Sequence, residues 1–96
     1  MADYNLYFSQ EAKDSFEALL EQVKKRWGVK TAKQFQKDTR RVLGVVAKYP
    51  FAFQTIQEDM HVRRAIVHRN ISFLYCVVGD EVQIIVFFDN RQEPIL

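Results

Sequence analysis

Past residue 60 the chain concentrates the side chains that could act on a phosphate or grip an anion, namely His61, Arg63, Arg64, His68, Arg69 and Arg91. Cleaving RNA without a metal requires a base for the 2′-hydroxyl, an acid for the leaving oxygen and cations on the phosphate. His61, His68, Arg63, Arg64 and Arg91 are the residues that could make up that set. The same arginines could instead hold an acidic protein segment or a DNA phosphate through charged hydrogen bonds, which needs no proton transfer. Neither histidine has a Cys or His at metal-ligand spacing, so no metal site and no cofactor is expected. Cys76, the single cysteine, has no basic neighbour in sequence to activate it and reads as a buried strand residue.

The elements that must position these groups limit how they can combine. Arg63 and Arg64 are consecutive in an extended stretch and point to opposite faces, so only one of them can share a side with a target site. His61 falls at a strand start and His68 in a tight turn, positions where a solvated or capping histidine is the simpler reading. Arg91 lies just past the last strand, where it can reach a partner, with a plain surface salt bridge as the bland alternative. Tyr75 and Trp27 read as core residues first and contact residues second.

Ninety-six residues, 48% hydrophobic and 14% aromatic with only three Gly and two Pro, point to one packed domain over 1–96. No apolar run approaches the roughly 20 residues of a membrane helix, the start resembles no export signal, and a lone cysteine forms no internal disulfide, so the cytoplasm is expected. The net charge of +2 is unevenly placed. Lys24, Lys25, Arg26, Lys30, Lys33, Lys37, Arg40 and Arg41 are opposed only by Asp38 within their stretch, and 60–79 contain cations but no acid. Both zones could attract nucleic acid or an acidic protein, although Lys-rich helix faces often serve solubility alone.

Tyr4–Phe8 alternates as a first strand, and Ser9 is an N-cap for a helix starting near Gln10. Ala12, Phe16, Leu19, Leu20, Val23 and Trp27 form its apolar stripe, and Gly28 ends it. Thr31-x-x-Gln34 has the capping-box pattern and predicts that a second helix starts there, joined to the first by three or four residues and stopped by Pro50. Gly44 inside it suggests either a close packing contact or a simply tolerated glycine. After an irregular stretch over 51–59, strands are expected at 60–67, 71–78 and 81–88, the last two joined at Gly79-Asp80.

The order is βααβββ, an α+β fold with a two-helix hairpin on a mainly antiparallel twisted sheet. Strict alternation puts Ile71, Phe73, Tyr75, Val77, Val82, Ile84, Val86 and Phe88 on one face. Leu74, Cys76, Val78, Ile85 and Phe87 then make the opposite face apolar too. The helices can cover only one face, which leaves the other to a partner chain, a dimer mate or the 51–59 segment.

Tyr7-Phe8-Ser9, Trp27-Gly28, Ala32-x-x-Phe35, Tyr49-Pro50, Val62-Arg63-Arg64, Ile71-Ser72-Phe73-Leu74-Tyr75 and Asp89-Asn90-Arg91, taken in order, resemble the RelE/ParE toxins of type II toxin–antitoxin systems. The resemblance spans nearly the whole chain. It implies growth inhibition relieved by a cognate antitoxin, and a homodimer or a toxin–antitoxin hetero-oligomer. RelE-type ribosome-dependent ribonucleases carry an Arg where this chain has Ser72, and a Tyr or His a few residues beyond the position of Arg91. Only Gln92-Glu93-Pro94-Ile95-Leu96 follow here. In both departures the chain is similar to the ParE branch, which implies DNA gyrase as target, with Arg63, Arg64, Arg69 and Arg91 as target contacts and no enzymatic activity. The alternative is a RelE-like mRNA endoribonuclease acting at the ribosome through His61, His68 and Arg91, and a third reading is an inactive DNA- or protein-binding member. The expected antitoxin surface is Leu74, Cys76, Ile85 and Phe87.

Overall fold

The computed structural model describes residues 3–68 and 70–91. Among them the chain forms β1 (Asn5–Phe8), α1 (Gln10–Trp27), α2 (Val29–Lys48), a 3-10 turn over Pro50–Ala52, β2 (Val62–His68), β3 (Ile71–Val78) and β4 (Glu81–Asp89). The strands lie in the order β1-β4-β3-β2, with β1 parallel to β4 and the other pairs antiparallel. The expected α+β architecture is present, with α1 and α2 packed on one face of this mixed sheet. Ala12, Phe35, Val42 and Val46 from the helices meet Ala65, Val67, Phe73, Tyr75, Val82 and Ile84 from the strands.

Ser9 caps α1 by accepting the Ala12 N–H at 2.9 Å, as its sequence position predicts. The second helix departs from expectation. It begins at Val29, with Gly28 alone between the helices, and no side chain caps it. Thr31 lies inside the first turn and Gln34 donates to Asp38 instead, so the capping box does not form. Gly28 explains the short joint, because its φ of 94° lies in a region that a side chain disfavours. Gly44 makes no close packing contact, since a Cβ built there meets nothing within 4 Å. The two helix ends differ from the stripe as well, with Trp27 67% and Tyr49 61% exposed. Trp27 is the last member of the α1 stripe and Tyr49 the residue that follows α2, both where the helix ends overhang the core.

Alternation in β4 fails at Ile85. Leu74 pairs with Val86 and Tyr75 with Ile84, so Ile85 is the extra residue of a bulge and every residue after it changes face. Phe87, expected opposite the helices, is instead buried beneath them against Phe16 and Phe73, with ring centroids 5.2 Å away in both cases. Val86 and Phe88 move to the outer face. The bulge has an evident support. β1 pairs with β4 only as far as Ile84. Beyond that point Ser9 Oγ donates to the Ile85 carbonyl at 2.7 Å and Ser15 Oγ accepts the Phe87 N–H at 2.9 Å. Two hydroxyls thus replace the missing ladder partners.

On the outer face Val62, Leu74, Val86 and Phe88 are buried in a second small cluster, with Ile56 and Ile85 against it. The 51–59 segment contributes this cover through Ile56, whose N–H donates to Val62 O while Arg64 N–H donates to Gln54 O. Leu74, only 2% exposed, is therefore not an open contact residue. This pairing stops at Arg64. From Ala65 onward the outer edge of β2 has no backbone partner among the described residues, and Ile66 there is 62% exposed.

Candidate functional site

Where the α1–α2 joint overhangs the sheet, a hollow of about 320 Å³ opens. The end of α1 lines it with Leu19, Gln22, Val23, Arg26 and Trp27, the start of α2 with Thr31, Gln34 and Phe35, and the sheet end with His68, Asn70, Ile71, Asp89 and Arg91. Its floor is apolar and its rim carries nitrogen donors, a mixture suited to orienting a bound group on an otherwise greasy surface.

The polar part of this rim is tied together. Arg91 grips Asp89 in a fork, Nε to Oδ1 at 3.0 Å and Nη2 to Oδ2 at 2.6 Å, while its backbone N–H also donates to Oδ1. It is the one ion pair among the described residues. The hydrogen bond from Arg91 holds the Asp89 carboxyl below the usual carboxylate range, with Arg26 adding to the effect, and Arg91 is pushed up in turn. Asn90 N–H bonds the Asn70 carbonyl, and Ser72 Oγ donates to Asn90 Oδ1 at 2.6 Å. Ser72 is fully buried. These bonds pin the end of β4 to the β2–β3 turn and fix the Arg91 backbone beside the hollow.

The structure joins some of the anticipated residues and separates others. His68 and Arg91 share the hollow. His61 immediately precedes β2 while His68 ends it, roughly 23 Å apart at the rise of a strand, so the two imidazoles belong to no common site. His61 is exposed, and its N–H donates to Asp59 Oδ1. Arg63 and Arg64 do point to opposite faces. Arg63 donates to the carbonyls of Phe53 (2.6 Å) and Phe51 (3.3 Å) and lies 5.3 Å from the Phe51 ring centroid, whereas Arg64 lies over Phe88. Both lie toward the opposite end of β2 from Arg91. Arg69 lies outside the described residues, as do Gln92 to Leu96. Cys76 is partly buried, its thiol pushed up by burial and by Asp59, and it contacts Gln83 rather than the hollow. No group of three or more His, Cys, Asp or Glu that could hold a metal ion occurs among the described residues, and no described helix is long and apolar enough to cross a membrane.

Arg26, Trp27 and Gln34, read in the sequence as a basic-zone cation, a stripe residue and a capping-box residue, also line the hollow. Each reads locally as an ordinary helix-end residue, and only the fold places them opposite Arg91.

The fold is that of ParE and RelE toxins. The chain is similar to the chromosomal ParDE toxin–antitoxin system from P. aeruginosa (TM-score 0.76, 18% identity, 90% of this chain and 95% of that one). It is also similar to the RelBE2 toxin–antitoxin complex from Mycobacterium tuberculosis (0.66, 13%, 93% and 93%) and to a YoeB/ParE toxin from Agrobacterium tumefaciens (0.65, 14%, 88% and 96%). No family model and no curated protein matches the sequence.

Proposed function

We propose that this chain is the toxin of a type II toxin–antitoxin pair, of the ParE kind, which acts in the cytoplasm by binding DNA gyrase and is neutralised by a cognate antitoxin. The fold and the similarity to ParE and RelE toxins support the toxin reading. Binding rather than cleavage is supported chiefly by what the hollow can do with protons. RNA cleavage needs both a base and an acid. His68 is the only imidazole lining the hollow, Asp89 is held low with both oxygens occupied by Arg91, and Ser72 is buried on Asn90. A fixed guanidinium beside an aromatic rim suits a protein contact instead.

Arg91→Ala in the purified protein should weaken inhibition of gyrase supercoiling about tenfold, the effect of losing one charged hydrogen-bonding group. Because His68 and Arg91 do share the hollow, a ribosome-dependent nuclease is the second reading. Translating ribosomes incubated with the protein should keep their mRNA intact. Codon-phased cleavage that disappears in His68→Ala would refute the binding reading.

A further inference from the structure

We propose that the exposed face of α2 is a binding surface for the phosphate backbone of duplex DNA. Eight of the fourteen cations and one of the twelve acids lie between Lys24 and Arg41, a net +7 in a chain whose total is +2, so the remainder carries −5. All eight are exposed. The structure turns this sequence bias into a ridge. Lys30, Lys33, Lys37 and Arg40 recur at intervals of three and four and border one open surface groove with Gln34 and Gln36. At the rise of an α-helix they span about 15 Å, room for roughly four phosphates of one strand.

Among the described residues no carboxylate pairs with them, and Asp38, the only acid of the stretch, receives a hydrogen bond from Gln34. Stable protein partners are recognised through buried aromatic or aliphatic anchors, which this ridge lacks. Single-stranded nucleic acid is held by bases stacked on aromatic rings, also missing here, and RNA readers add contacts to 2′-hydroxyls. A row of cations alone matches a duplex whose bases are paired inside and whose phosphates recur regularly. Arg91 does not line this groove, although Gln34 borders both it and the hollow, and DNA binding here does not depend on which macromolecule the chain inhibits.

The test uses the purified chain and a labelled duplex of about 20 base pairs, with no gyrase present, followed by fluorescence anisotropy. Binding should be on the order of micromolar at low salt, with log affinity falling against log salt at a slope of about −3.6 for four phosphate contacts. That corresponds to about a hundredfold loss between about 50 and 200 mM. The variant Lys33→Glu, Lys37→Glu, Arg40→Glu should melt as the parent does and show no binding. Should that variant fail to fold, Lys37→Gln alone should flatten the slope by about 0.9, while Lys13→Gln on the acidic half of α1 leaves it unchanged. Salt-independent binding, an unchanged triple variant, equal effects of Lys13→Gln and Lys37→Gln, or tighter binding of single-stranded DNA or duplex RNA at equal length would each overturn the proposal.

Discussion

At the residue scale, Arg91 and Tyr75 show how differently two polar groups can be held. Arg91 is 61% exposed in its side chain yet oriented by a two-point grip from Asp89 two residues earlier. Asp89→Asn keeps the size of the side chain but removes the charge that fixes the guanidinium. Gyrase inhibition by that variant is expected to fall in the same direction as in Arg91→Ala, and full activity would show that Arg91 needs no such orientation. Tyr75 is fully buried, and its hydroxyl donates to the Pro50 carbonyl. Burial raises its pKa from 10.0 to about 12, with Arg63 opposing the shift. A raised folded value means that the neutral phenol is favoured in the native state. Its contribution to stability is therefore present below the unfolded value of 10.0 and is lost as pH rises towards about 12. An ultraviolet titration should show one tyrosinate appearing near the upper value and missing from Tyr75→Phe, a variant destabilised by about 1–2 kcal/mol through the orphaned carbonyl. Arg91 was visible in the sequence as a cation past a strand end, and Tyr75 as core. Arg26, Trp27 and Gln34 were not visible as partners of Arg91, because a hollow between distant elements leaves no periodic signal in any of them.

At the element scale, the decisive event is one residue long. Alternation located every strand core, but Ile85 adds a residue to β4, and the reading of faces inverts from that point. This is why Phe87 was assigned to the open face while it packs on Phe16. The bulge depends on hydroxyls from α1, which no pattern within β4 can reveal. Ser15→Ala would leave the Phe87 N–H without its acceptor and should cost about 1–3 kcal/mol in chemical denaturation. An unchanged midpoint would mean that the hydroxyl does not support the bulge. The start of α2 departs from its capping pattern for a related reason. Thr31-x-x-Gln34 carries a capping pattern, but Gly28 lets α2 begin two residues earlier, so Thr31→Ala should be close to neutral. Gly44, exposed in open space, should accept Ala with a gain of up to about 1 kcal/mol, read as a higher melting temperature. Of the expected antitoxin contacts Leu74 and Phe87 are buried and Cys76 and Ile85 partly so, whereas the edge of β2 beside Ile66 has no backbone partner among the described residues, and we propose it as the place where an antitoxin strand adds. Strand addition there would supply the missing backbone partners. Ile66→Lys should weaken antitoxin binding by at least tenfold in calorimetry while leaving the isolated domain folded.

At the scale of the whole molecule, the fold was legible because many weak signals fell in the right order along the chain. What the order could not convey is that two surfaces of unlike character meet at the α1–α2 joint. One is the hollow, where Arg91 faces Trp27 and an apolar floor. The other is the ridge of Lys30, Lys33, Lys37 and Arg40, and Gln34 borders both. If the hollow binds gyrase and the ridge binds the DNA that gyrase holds, the two losses must differ in their response to salt. Exposed charges facing phosphates are screened, and the ions they displace make affinity fall steeply with ionic strength. A guanidinium enclosed at a protein contact is screened far less. Gyrase inhibition by the ridge triple variant should therefore be most impaired at low salt, and the parent should approach it as salt rises. The loss in Arg91→Ala should stay nearly constant across the same range. Parallel salt curves for the two variants would show that both sets of residues meet the same partner, and would merge the hollow and the ridge into one interface.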